Sequence, residues 1–474
     1  MVFRMPSRTA QKFLLLLGDA AVFYIALVST LWMRYLEFPT PRTWYVHNMP
    51  FLLVHMLWIV IFYIAGLYDA TSFVSGAFLR QKILRAMAIA GLLAILLFYF
   101  IPTFIITPKI NLMIDVTIVT LLLWGWRRFF ASIVARRAKI NVLFFGVNPE
   151  IAAFAEFLSG EPHIGYRPAL IVALQREHQN LAATIPTVPF AENLDALVKE
   201  HRIHLIVTAS GLPDNREHIR MLYRMLTLGV TVLESARFYE DITGKIPVSL
   251  INERWFLEHV SALEKGGFET FKRVADIVLA VIFGIPALFL FPFIAGAILL
   301  SQPADCLRAR ERRARAGDGI LFFRQNRVGK NGEVFRLVKF RSQVLGAERM
   351  GEAKELAHDP RQYPVGRFLR KTYLDELPQI WNVLRGEMSF VGPRPERPEF
   401  VRELKEAVPF YEMRLLVRPG ITGWAQIRMK DDASVEDALE KLQHDLFYIK
   451  RRNVTLEIAI ILRTLAVLLR RSGR

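Results

Sequence analysis

Residues 277–300 read IVLAVIFGIPALFLFPFIAGAILL, and the fate of this run decides the architecture of everything after it. A helix needs about 20 apolar residues to cross the hydrocarbon core, so the run is long enough to span. Yet Lys272 and Arg273 precede it, and Arg308, Arg310, Arg312, Arg313 and Arg315 follow it. Cations mark the cytoplasmic side of a membrane segment, so both ends belong there. Gly284, Pro286 and Pro292 interrupt the run, and each proline removes a helical hydrogen bond and crowds the preceding turn. A helix, a break and a returning helix, re-entrant within 277–300, satisfies these facts. The alternative, a kinked fifth span, would carry the basic C-terminal region to the far side.

Upstream, apolar runs near 13–33, 50–67, 84–106 and 110–126 predict four spans in a domain of residues 1–130. Arg4, Arg8 and Lys12 lie before the first, Arg80, Lys82 and Arg85 after the second, and Arg127, Arg128, Arg136, Arg137 and Lys139 after the fourth. Both ends of the four-span unit are therefore expected in the cytoplasm. Asp19 and Asp115 fall inside spans, where a carboxylate is tolerated when it faces protein partners. They read as polar contacts between helices. The whole chain, 474 residues and 53% hydrophobic, carries a net charge of +17, which suits an anionic partner. Its single cysteine, Cys306, excludes an internal disulfide and any multi-cysteine metal site. No cleavable signal peptide is expected, since no small-residue cleavage site follows the first run.

Residues 139–250 alternate strand and helix. Runs at 140–147, 168–174, 203–210 and 230–235 read as buried strands, with helices at 150–158, 192–202 and 216–228 between them. This predicts a cytoplasmic Rossmann-like domain with a parallel sheet. Its first turn, Gly146-Val147-Asn148-Pro149-Glu150, lacks the second and third glycines of a dinucleotide fingerprint. A regulatory or assembly role, including support of a homodimer, is expected in place of cofactor binding.

The chemistry-bearing residues lie in 268–474. Two short strands, 320–323 and 335–340, flank a turn at 329–332 and gather Arg324, Arg327, Lys339 and Arg341, suited to a phosphate. Next comes Arg370-Lys371-Thr372-Tyr373-Leu374-Asp375-Glu376-Leu377-Pro378-Gln379-Ile380-Trp381-Asn382-Val383-Leu384. Leu377, Ile380, Trp381 and Leu384 predict one apolar helix face. Asp375 stands where an N-cap belongs, which is one account of it. The other is chemical: adjacent carboxylates at a helix start, among arginines, can hold a divalent cation and supply a nucleophile. In 389–396, SFVGPRPE, two prolines stiffen the chain around Arg394 and pre-position a guanidinium for phosphate. RPGITGWAQ, 418–426, combines rigid turns with an aromatic ring and contributes Arg418 and Gln426. The apolar 456–469 stretch reads as a helix lying on a membrane.

Three blocks, FFRQNRVGKNGEVFRLVKFRS, LDELPQIWNVLRGEMSFVGPRPERPEF and RPGITGWAQIR, resemble in order the signatures of the bacterial sugar transferases. These are the polyprenyl-phosphate sugar-1-phosphate transferases, or monotopic phosphoglycosyl transferases. With four spans and a middle domain, the chain is similar to their large members. FYEDITGKIP and ASVEDALEKLQHDLFYIK resemble the EpsB-like branch linked to exopolysaccharide and PEP-CTERM systems. The resemblance implies a membrane α/β enzyme of the bacterial inner membrane, its catalytic domain facing the cytoplasm. It implies that Asp375 attacks a UDP-sugar, expels UMP, and passes the sugar phosphate to undecaprenyl phosphate. Glu376 would help Asp375 bind Mg²⁺, and Arg394, Arg327, Lys339, Arg341, Arg418 and Gln426 would hold substrate. The family's usual re-entrant helix breaks at one proline, often after Ser; here two prolines share the run. Two other classes remain to be weighed. A membrane-bound nucleotide-sugar dehydratase needs an intact GxGxxG and a Tyr-xxx-Lys pair, and no tyrosine here has lysine four places on. A non-catalytic scaffold for polysaccharide assembly has no need of an intact Asp375–Glu376. No nucleic-acid module is recognisable.

Overall fold

The computed structural model describes residues 8–68, 76–100, 109–136, 139–161, 164–174, 184–190, 193–209, 216–259, 266–301, 319–344, 347, 361–429 and 434–469. Cys306, the arginines at 308–315 and Arg137 lie outside them. The chain forms two compact units, Met1–Leu233 and Glu234–Arg474.

The first unit opens with α1 (Arg8–Tyr35), α2 (Pro41–Ile64), α3 (Gly76–Phe100) and α4 (Lys109–Arg136). Each has a stretch long and apolar enough to cross a membrane, as expected for a membrane protein. The second begins earlier than its hydropathy suggested, because Thr40 caps it, its Oγ1 accepting from Thr43 N at 3.2 Å, and Pro41 suits a first turn. Leu15, Phe23, Phe51, Trp58, Phe62, Val119 and Leu123 pack between the helices. The two carboxylates join helices. Asp115 lies 3.0 Å from His55 Nε2 and 3.4 Å from Thr30 Oγ1. Asp19 accepts from Tyr68 Oη at 2.7 Å and from Arg127 Nη2 at 2.5 Å.

Arg127 thus differs from its expected place as a flanking cation. It is wholly buried within α4 and also donates to Leu67 O at 2.8 Å. Only a buried carboxylate makes that position favourable for a guanidinium. Removing one member of such a pair strands the other, at a loss of about 3–5 kcal/mol. Arg127→Met should therefore lower the thermal unfolding midpoint in detergent, and the pair Asp19→Leu with Arg127→Met should lower it less. Equal losses in the single and double variants would show that the pair itself contributes nothing.

A five-stranded sheet follows: β1 (Ile140–Phe145), β2 (Tyr166–Ala173), β3 (Thr187–Pro189), β4 (Leu205–Thr208) and β5 (Thr231–Glu234). Their order is β3-β2-β1-β4-β5, that of a doubly wound α/β sheet. The pairs β1–β2, β1–β4 and β2–β3 are parallel. The edge strand β3 is absent from the sequence prediction because it has three residues and ends in a proline, which a sheet tolerates at its margin. Helices α5 (Pro149–Gly160), α6 (Leu194–Glu200) and α7 (Arg216–Thr227) fall close to the predicted helices. After β1 the chain turns through Gly146 at φ +76°, a conformation that favours glycine, and Asn148 caps α5.

The second unit contains α8 (Ser235–Thr243), α9 (Glu253–His259) and α10 (Gly266–Ser301). It continues with the antiparallel hairpin β6 (Phe322–Val328) and β7 (Val334–Phe340), then α11 (Pro364–Lys371) and α12 (Gln379–Arg385). Next are β8 (Ser389–Val391), α13 (Pro398–Ala407), β9 (Gly420–Thr422), α14 (Trp424–Arg428), α15 (Val435–Arg451) and α16 (Val454–Leu469). Residues 235–250, grouped with the middle domain from sequence, pack in this unit. Glu240 is buried where it accepts from Lys450 Nζ at 2.7 Å and Arg451 Nε at 2.6 Å. These two ion pairs join α8 to α15.

The 277–300 run also departs from expectation. It lies inside one helix, α10, which runs unbroken through both Pro286 and Pro292. Two lost N–H donors in 36 residues leave the surrounding turns bonded. Polar contacts root its first turns: Lys272 Nζ meets Glu457 at 2.5 Å, and Arg273 donates to Val383 O at 2.6 Å. Farther along, Ile294 and Ile298 pack with Phe340 and Leu369. Leu288, Phe289 and Phe293 point away and are exposed. Both halves of α10 therefore lie against the same unit.

Candidate active site

Between α11 and α12 the chain makes a tight 3-10 turn, Leu374–Glu376. Tyr373 enters it at φ +56°, a left-handed conformation that a bulky residue adopts only under constraint. The N-cap role open to Asp375 is not what the structure shows. Pro378 occupies the position before α12, and no side chain caps it. The turn ahead of Pro378 places Asp375 in the protein interior, 7% exposed, where its carboxylate accepts from its own backbone N–H.

Around this turn the cations converge on Glu376. Lys339, on β7, donates Nζ to Glu376 Oε1 at 2.7 Å, and Arg394 Nη2 lies 4.0 Å from the same oxygen. Burial would raise the Glu376 carboxyl, but Lys339 and Arg394 outweigh it and hold the group below the usual carboxylate range. Asp375 goes the other way. Burial is the largest cause, the Glu376 charge adds to it, and Lys339 and Arg370 oppose it only in part; its pKa is pushed up to about 6. The two neighbouring carboxylates therefore shift in opposite directions: Glu376 is held as a paired anion, and Asp375 is held closer to its neutral form.

Other predicted residues take supporting places. Arg327 donates Nη1 to Pro395 O at 2.9 Å and lies 3.7 Å from Glu396. Arg341 is buried and donates to Gly319 O at 3.0 Å. Arg418 donates Nε to Gly386 O at 3.0 Å, and Gln426 Nε2 to Ile421 O at 3.2 Å. Of the six cationic and amide candidates, Lys339 and Arg394 are the two that the structure brings to Glu376.

The loop bearing Arg394 is held from below. Arg414, buried, donates to Arg394 O at 3.0 Å and pairs with Asp445 at 2.9 Å. Glu396 accepts from Lys441 at 2.7 Å; burial would raise it, yet Lys441 and Arg414 hold it low. On the other side, Asp276 of α10 accepts from Ser389 Oγ at 2.9 Å and from Phe390 N at 3.0 Å, fixing β8. The sequence reading does not single out Asp276 or Asn382. Asp276 and Asn382 each act on a partner at least 44 residues away, and nothing local signals that. The apolar helix face also needs correction. In α12, Gln379 and Asn382 are buried with Ile380 and Val383, while Trp381 and Leu384 face outward, Arg385 stacking over Trp381 at 5.4 Å.

Among the described residues no group of three or more His, Cys, Asp or Glu converges to hold a metal. Asp375 and Glu376 offer hard oxygen donors, one of them already engaged by Lys339. Mg²⁺ commonly takes one or two carboxylates and completes its shell with phosphate oxygens and water, so this donor set fits it.

The chain is similar to several known proteins. The N-acetylgalactosaminephosphotransferase of Aeromonas hydrophila, named for UDP-N-acetylgalactosamine and undecaprenyl phosphate, is 36% identical over 250 residues, 53% of this chain and 55% of its own. The UDP-glucose:undecaprenyl-phosphate glucose-1-phosphate transferase of Escherichia coli K12 is 37% identical over 195 residues, 41% and 39% of the two chains. The Xanthomonas campestris pv. campestris protein of the same name is 28% identical over 348 residues, 68% and 65%. The chain spans about half the length of the curated relatives it matches. The description "Bacterial sugar transferase" covers residues 268–471, which include the Asp375–Glu376 turn and every residue around it. Residues 268–471, the part of the chain that holds this turn, thus resemble the bacterial sugar transferase family.

Proposed function

We propose that this protein transfers a sugar 1-phosphate from a UDP-sugar to undecaprenyl phosphate, an early membrane step in exopolysaccharide or related glycan assembly. The observation that carries this is Asp375: a buried carboxylate, raised to about 6, beside an ion-paired Glu376 and within the field of Lys339 and Arg370. A desolvated carboxylate that is still ionised at neutral pH is a competent nucleophile toward phosphorus.

In the first step an Asp375 oxygen bonds to the sugar-bearing phosphorus while the bond to the bridging oxygen of UMP breaks, and UMP leaves with that oxygen. In the second, an oxygen of undecaprenyl phosphate attacks the same phosphorus and Asp375 leaves as carboxylate. Lys339 and Arg394 face the charge that builds on the phosphoryl oxygens, and their prior placement lowers the barrier. Mg²⁺ held by Asp375 and Glu376 would supply further charge neutralisation. The acceptor phosphate sits at a leaflet surface. With both halves of α10 against the catalytic unit and its outer face apolar, α10 would rest in the cytoplasmic leaflet of the inner membrane on that face, both ends on the cytoplasmic side, without crossing.

Relatives named for N-acetylgalactosamine and for glucose leave the sugar open, so a panel of UDP-sugars labelled with ³²P in the sugar-bearing phosphate is the test. With the accepted donor and no acceptor, UMP should appear once per active chain and the label should map to the peptide containing Asp375. Label that never reaches protein while lipid-linked product forms would mean direct transfer and defeat the two-step proposal.

A further inference from the structure

We infer that Asn382 is a positioning residue for the reaction: its side-chain amide pairs with the free edge of β7 as a strand would, and so sets Lys339 against Glu376. The inference rests on the proposed role of the Asp375–Glu376 turn and adds to it the element that holds its counter-charge in register.

The hairpin β6–β7 forms a two-stranded sheet, so among the described residues one edge of β7 has no strand beside it. Unpaired backbone groups at a buried edge need partners. Asn382, 1% exposed, supplies them. Its Oδ1 accepts from Val338 N at 3.2 Å and its Nδ2 donates to Arg336 O at 2.8 Å. The remaining Nδ2 hydrogen goes to Glu387 Oε2 at 2.6 Å. Donor and acceptor of the amide both face one strand segment, which a carboxylate, a hydroxyl or an apolar group cannot reproduce.

The place of the clamp gives it consequence. Val338 adjoins Lys339, whose ammonium meets Glu376 at 2.7 Å. Asn382 stands on α12, the helix that begins three residues after Glu376. The two ends of the Lys339–Glu376 pair thus sit on β7 and on the turn leading into α12, and Asn382 fastens those two elements together. A displacement of about 1 Å at a reacting group can lower turnover about 100-fold.

The experiment is a double-mutant cycle on UMP release by the full-length protein in membranes or detergent. Asn382→Leu should lower kcat about 100-fold with the donor KM changed less than threefold. In a Lys339→Met background the same substitution should lower kcat less than about threefold, because the group it positions is gone. Should Lys339→Met show no release, Lys339→Arg serves as the background. Asn382→Asp, which keeps the acceptor for Val338 N, substitutes where Asn382→Leu does not fold. An equal loss in both backgrounds, or no loss in either, overturns the clamp and makes Asn382 a packing residue. Asp375→Asn run alongside separates the two levels: release retained there sinks the functional proposal itself.

Discussion

Asp375→Asn should abolish nucleotide release, by about 10⁴-fold or more, and at the same time make the protein harder to unfold. The two effects share one cause. Burial holds the Asp375 carboxyl at about 6, above its ordinary value of 3.8, so at neutral pH the folded protein keeps a charge where it is disfavoured. A group whose folded pKa is raised binds more protons in the folded state. Stability therefore falls as pH rises from about 4 to about 6 and stays lower above that window. The amide removes that penalty, a gain of about 3 kcal/mol at pH 7 that should vanish below pH 4. Turnover has the opposite sign, since attack needs the carboxylate. The wild-type rate should fall tenfold per unit below pH 6. Thermal unfolding and release assays on the same two preparations check both. A variant that loses activity and stability together would make Asp375 a structural carboxylate.

Gly420→Ala should strongly destabilise the second unit. A Cβ at Gly420 would stand 2.1 Å from Gly392 N and 2.4 Å from Thr422 O. The same crowding recurs at Gly392, 2.4 Å from Arg418 O, and at Gly423, 2.2 Å from Gly392 O. The obstacles are backbone atoms, so no side chain can swing aside. Here β8 and β9 run parallel, with Gly392 N donating to Thr422 O at 2.8 Å and Gly420 N to Pro393 O at 2.9 Å. A methyl would part the strands and break those bonds, a loss of about 3–5 kcal/mol. Arg394, two residues beyond Gly392, would move with its loop. Gly267→Ala, with nothing within 4 Å of the added methyl, is the control and should leave stability unchanged or raised. Denaturant unfolding distinguishes them. Parity between Gly420→Ala and Gly267→Ala would mean the two strands are not in close contact.

Much of this protein was legible in one dimension. The apolar runs that became α1–α4 carry their own length requirement, and the parallel sheet follows from buried strands separated by helices. The paired carboxylates stand out because an N-cap accounts for one acid at a helix start but not for a second beside it among arginines. Lys339 and Arg394 could be nominated by their surroundings. Local signals have limits, however, and α12 shows where they end. Its apolar residues suggest a face of Ile380, Trp381 and Leu384, yet the buried face contains Gln379 and Asn382.

The sequence by itself determined which segments are apolar enough for a membrane, which alternate into a sheet, and which carry phosphate chemistry, because those properties reside in neighbouring residues. Tertiary structure alone decided that Arg127 is an interior cation, that α8 docks on α15, that α10 lies along its own unit, and that Asp375 is buried while Glu376 is paired. Each of these is a charge or a backbone edge satisfied by a group distant in the chain. Such partners are chosen by the cost of leaving a polar group unmet in a dry interior, and that cost exists only once the chain has closed around it.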